Sequence, residues 1–75
     1  MITMRYVNGR SAVVGDIVIG TTKDQQGRAI ITQINEEELE VWSFENKEFI
    51  RHIFPNCVRK WIHETDFYKL FNNGL

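Results

Sequence analysis

Seventy-five residues, 43% of them hydrophobic, with nine Lys and Arg against ten Asp and Glu for a formal charge of −1, describe a single small domain with no bulk attraction for polyanions. One cysteine, Cys57, excludes an internal disulfide and fits a reducing compartment. No apolar run exceeds three residues, which excludes a membrane-spanning helix of about 20.

The chain opens on Met1-Ile2-Thr3-Met4-Arg5 with no apolar stretch behind it, so no secretory signal and a cytoplasmic location are expected. Residues 1–3 are expected to fray. Met4-Arg5-Tyr6-Val7 and Arg10-Ser11-Ala12-Val13-Val14 flank Asn8-Gly9, the dipeptide of a type I′ hairpin turn. Gly15-Asp16 is a tight turn, and the β-branched Ile17-Val18-Ile19 forms a strand ended by Gly20. Residues 21–28 are polar and form the longest loop. Ala29 to Ile34 is the next strand, followed by the charged turn 35–38.

Strand 39–44 poses a question of orientation. Alternation places Leu39, Val41 and Ser43 on one face and Glu40, Trp42 and Phe44 on the other. Only one face of a strand in so small a domain is core, so one apolar set is left largely exposed or covered by a partner, a second copy included, or by the tail. Leu39, Val41, Trp42 and Phe44 are therefore the protein-interaction candidates. After turn 45–48 comes the strand Phe49-Ile50-Arg51-His52-Ile53-Phe54, stopped by Pro55, and then Val58 to His63. In the tail, Thr65 can cap a helix that places Phe67, Leu70 and Phe71 on one face. Alternatively, one helical turn over 64–66 delivers Phe67 to Leu70 as a closing strand, which removes an exposed sheet edge and is preferred. Residues 72–75 are expected to fray.

Five or six short strands with brief turns predict a mostly-β domain over residues 1–75, an antiparallel sheet bent into a small barrel with at most one short helical turn near the C-terminus. The expected core is Val14, Val18, Ile30, Ile34, Phe44 or Val41, Ile53, Trp61 and Phe67.

The stretch from Tyr6 to Gly20, with its Asn-Gly turn and the strand entry Val14-Gly15-Asp16-Ile17-Val18, resembles the opening of small SH3-like and KOW-like barrel proteins. Gly27 ahead of Ala29-Ile30-Ile31, and the ending Trp61 to Leu70, are similar to the same group. The resemblance implies an SH3-like barrel that binds protein or RNA through its loops. Many such proteins come from bacteria or their phages, which suggests a phage or mobile-element origin.

Residues that carry chemistry are sparse. His52, Cys57 and His63 lack the close paired spacing and the fourth ligand of structural zinc, so no metal and no cofactor are expected. Cys57 with either histidine and Asp66 is the one conceivable nucleophilic set, but nothing marks the thiol for activation. A core of this size is not expected to enclose a ligand pocket of ~300 Å³. Glu36, Glu37, Glu38 and Glu40 form a solvated run. Residues 36–48 hold six acids and one base, whereas 49–63 hold no acid but Arg51, Arg59, Lys60 and two histidines. With Phe49, Phe54 and Trp61 interleaved, that segment is the alternative candidate, a surface for single-stranded nucleic acid using Arg51, Arg59, Lys60, Phe54 and Trp61. Arg51 facing Glu40 or Glu45 across strands is the plainer use of the same charges. The reading is a non-catalytic protein-interaction module that binds another protein or itself, with no membrane role.

Overall fold

The computed structural model describes residues 4–23, 27–53 and 57–73. The chain is mostly β. Among the described residues seven short strands, β1 (Arg5–Tyr6), β2 (Ile17–Gly20), β3 (Arg28–Ile34), β4 (Glu38–Ser43), β5 (Glu48–Ile53), β6 (Cys57–Val58) and β7 (Trp61–His63), precede one helix, α1 (Glu64–Asn73). Five of them form an antiparallel sheet ordered β5-β4-β3-β2-β7, and β1 pairs with β6 in parallel.

The first hairpin has a loop one residue longer than the two-residue turn that Asn-Gly predicts. Tyr6 C=O accepts from Gly9 N–H at 2.9 Å, and Tyr6 N–H donates to Arg10 C=O at 2.8 Å. Among non-glycine residues described, only Lys47 has positive φ, so Asn8 is not left-handed and the turn is not type I′. Gly9, at φ 93°, supplies the left-handed position of a three-residue loop, and Asn8 Oδ1 accepts from Arg10 N–H at 3.0 Å.

Val13 and Val14 do not extend a strand. Asp16 N–H donates to Val13 C=O at 3.0 Å across a turn that holds Gly15 at φ 99°, and Asp16 Oδ2 accepts from Val13 N–H at 3.0 Å. Turn chemistry overrides β-propensity here, and Val14, expected in the core, is 55% exposed.

The core comprises Met4, Tyr6, Ala12, Val18, Ala29, Ile31, Leu39, Val41, Val58 and Trp61, with Ile34 and Ile50 packed against it. Register explains the membership. Val18 faces Ala29, Ala29 faces Ser43 and Ile31 faces Val41, so these residues share the inner face. Ser43, buried among them, has its Oγ satisfied by Asn46 N–H at 3.1 Å. Ile30 falls on the opposite face and is half-buried, as is Phe67. Ile53, also expected inside, lies opposite Glu38 on the outer face and is 78% exposed.

The sheet is strongly curled. Four inter-strand spacings separate β5 from β7, about 19 Å in a flat sheet, beyond the combined reach of an imidazole and an indole. Yet Trp61 Nε1 donates to His52 Nε2 at 3.1 Å. The two inward side chains bridge strands from opposite edges, so the inner face wraps around its core.

The preferred closing strand is overturned. Residues 64–73 are helical, including Asn72 and Asn73 of the expected frayed end. His63 supplies the cap, its Nδ1 accepting from Thr65 N–H at 3.1 Å, and Glu64 and Asp66 sit in the first turn where the helix dipole favours acids. The expectations for residues 1–3, for Phe54 and Pro55, and for 74–75 lie outside the described residues.

Candidate functional site

Orientation of β4 is settled by its neighbours. Leu39 and Val41 are fully buried and belong to the core, so neither contributes to a surface. Trp42 and Phe44 point the other way. Ile17 pairs with Ile30, Ile30 with Trp42, and Trp42 with Phe49, which lays one apolar row across β2, β3, β4 and β5 on the outer face. Trp42 is half-buried because Phe49 packs edge-on against it, with ring centroids 4.8 Å apart. Phe44 and Phe49 remain 46% and 61% exposed. By the usual area of a phenylalanine these two leave on the order of 200 Å² in water. Sequence alternation identified Trp42 and Phe44, whereas Phe49 stood out only as an aromatic of the basic segment, because its pairing with Trp42 is set by the β4–β5 register.

Beside this row the outer face is charged and internally matched. Arg51 lies 3.8 Å from Glu38 and 3.5 Å from Glu40, the cross-strand pairing foreseen for Glu40. Thr32, at the bulge in β3, donates to Glu40 Oε1 at 2.8 Å. The basic segment is thereby split. Arg51 stands on the outer face beside two acids, and Trp61 is buried in the core. Arg59 and Lys60 lie between β6 and β7, and Phe54 lies outside the described residues. Among the described residues, Arg51, Arg59, Lys60 and Trp61 are not brought into one stacking platform.

A second feature lies between the first hairpin, β7 and α1. A half-open cleft of about 520 Å³ is lined by Tyr6, Val7, Trp61, Ile62, His63 and Leu70, among others. It exceeds the volume expected for so short a chain because it opens between elements rather than inside the core.

Its walls are held by polar contacts. Asp66 accepts from Arg10 Nε at 2.8 Å, Arg10 Nη2 at 2.9 Å and Asn8 Nδ2 at 2.9 Å, fastening the hairpin tip to the first turn of α1. These bonds, Arg10's above all, hold the Asp66 carboxyl down at about 2. Behind them Tyr6 Oη donates to Asp16 Oδ2 at 2.9 Å, and burial, then this bond, pushes the phenol above its ordinary range. His63 Nε2 lies 3.6 Å from Asp16 Oδ1. Because Nδ1 accepts from the helix amide, the neutral imidazole carries its hydrogen on Nε2, toward that carboxylate.

The other histidine is equally engaged. His52 accepts from the Trp61 indole, and burial, reinforced by Lys60, holds its pKa below the ordinary imidazole value. Among the described residues, no group of three or more His, Cys, Asp or Glu converges to hold a metal ion. No helix there is long and apolar enough to cross a membrane. Comparison with protein-family models, curated proteins and solved structures finds no match for this chain.

Proposed function

We propose that this chain is a non-catalytic protein-interaction module whose binding surface is the outer face of β2–β5, centred on Trp42, Phe44 and Phe49. The observation that carries this reading is the in-register apolar row from Ile17 to Phe49, directed away from a core already filled by Leu39, Val41 and Ser43. Folding has no use for a second apolar face, and interfaces favour an aromatic centre with charges at the rim. Arg51, Glu38 and Glu40 supply such a rim. The curled sheet, bridged by His52 and Trp61, supports reading the domain as an SH3-like barrel, working as a cytoplasmic adaptor between protein chains.

The test replaces Phe44 with a photoreactive phenylalanine in cells that make the protein. One defined protein adduct, another copy of this chain included, is expected from position 44. The same probe at Tyr68, exposed on α1, should give none. No adduct at 44, or equal labelling at both positions, contradicts the reading.

A further inference from the structure

We propose that the cleft between the first hairpin, β7 and α1 is a binding site for small amphipathic carboxylates, with the apolar body against Val7, Ile62 and Leu70 and the carboxylate toward Arg59 and Lys69. All five residues line it. At about 520 Å³ the cleft falls within the ordinary size range of small-molecule sites, roughly 300–1,000 Å³. Val7 and Leu70 are 73% and 63% exposed, so two large apolar side chains stand in water on its walls.

Charge decides the sign of the ligand. Among the described residues Asp66 is the one carboxylate in the lining, and Arg10 and Asn8 already occupy it. Neither Arg59 nor Lys69 has a carboxylate within ion-pair distance among the described residues. The cleft therefore presents uncompensated positive charge in a chain of net charge −1.

Two of the amides on the cleft wall are closed to a peptide guest. The backbone amides of Tyr6 and Thr21 in the lining already donate to Arg10 and Lys60 carbonyls, at 2.8 and 3.0 Å. Side chains are thus the groups these positions leave to meet a guest, which suits a molecule with one anionic head and an apolar body. The Asp66 clamp holds hairpin and helix together before any ligand arrives, which lowers the ordering cost of binding.

Decanoate, with decanamide as its neutral counterpart, provides the probe, titrated into ¹⁵N-labelled protein. Saturable shifts are expected at the amides of Val7, Ile62, His63 and Leu70, with decanoate binding more tightly than decanamide. Arg59→Gln with Lys69→Gln, two surface changes whose folding is checked by circular dichroism, should weaken decanoate about tenfold and leave decanamide unchanged. The proposal is overturned if decanoate gives no saturable shifts below ~1 mM, the weak end of specific affinities. It is equally overturned if the shifts fall on the Trp42 and Phe49 face, if decanamide binds as well as decanoate, or if the double variant binds decanoate unchanged.

Discussion

Replacing Asp66 by Asn isolates the clamp between the hairpin and α1. The carboxylate accepts two hydrogen bonds from Arg10 and one from Asn8, and its pKa falls from 3.8 to about 2. Taken at face value, a shift of that size corresponds to about 2.5 kcal/mol. Arg10 keeps 40% of its side chain in water, and solvent screening reduces the expected loss on substitution to about 1 kcal/mol. In a domain of this length that lowers Tm by about 4–8 °C at neutral pH. The sign follows from the depressed pKa. The stabilisation is complete above 3.8, the unfolded value, and is lost as pH falls through about 2, where the folded carboxylate takes up its proton. Thermal melts of wild type and Asp66→Asn, followed by circular dichroism, should therefore differ at pH 7 and converge toward the acid end. Equal Tm values at pH 7, or a gap that persists undiminished once Asp66 is protonated, would refute the reasoning.

Tyr6→Phe removes a bond to a buried-side carboxylate and should cost about 2 kcal/mol in urea unfolding, whereas a loss below ~0.5 kcal/mol would deny Tyr6–Asp16 its role. Gly27→Ala should destabilise by about 1–2 kcal/mol, because φ is +86° and the new methyl meets the Glu45 side chain. Adding Glu45→Ala should recover only the steric part, which a double-mutant cycle measures. His52, whose folded pKa lies below 6.5, stays neutral while the unfolded imidazole binds a proton, so stability present above 6.5 is lost as pH falls below it. His52→Gln, which keeps an acceptor for the Trp61 indole, should flatten that limb of the stability–pH curve, and an unchanged slope would contradict the assignment.

The strands of the five-stranded sheet were legible because their β-branched and aromatic stretches end at real turns, such as Gly15-Asp16 and the acidic bend after Ile34. Alternation in 39–44 defined two faces, but not which was inner. That depends on Ala29 and Ile31 arriving opposite Ser43 and Val41, a long-range matter of register. Val13 and Val14 misled because their composition is that of a strand, while the Asp16 side chain organises a turn around them. The helical face of Phe67, Leu70 and Phe71 was visible in the tail. Its cap was not, since histidine is not among the usual capping residues and His63 acts only through its placement at the end of β7. The cleft left no local signal, because residues 6–8, 59–63 and 66–70 meet only in the folded chain.

The account depends most on Phe44 and Phe49 standing outside the structure they decorate. Urea unfolding of the Phe44→Ser, Phe49→Ser protein measures this directly, with Val41→Ala as the inward reference. The two rings together bury about the area of one phenylalanine, so the double variant should lose at most about 4 kcal/mol, while Val41→Ala should cost about 2 kcal/mol or more from one small side chain. A double variant that loses about 6 kcal/mol or more, the cost of two fully buried rings, would place both in the core and leave the sheet without an outward apolar face to offer a partner.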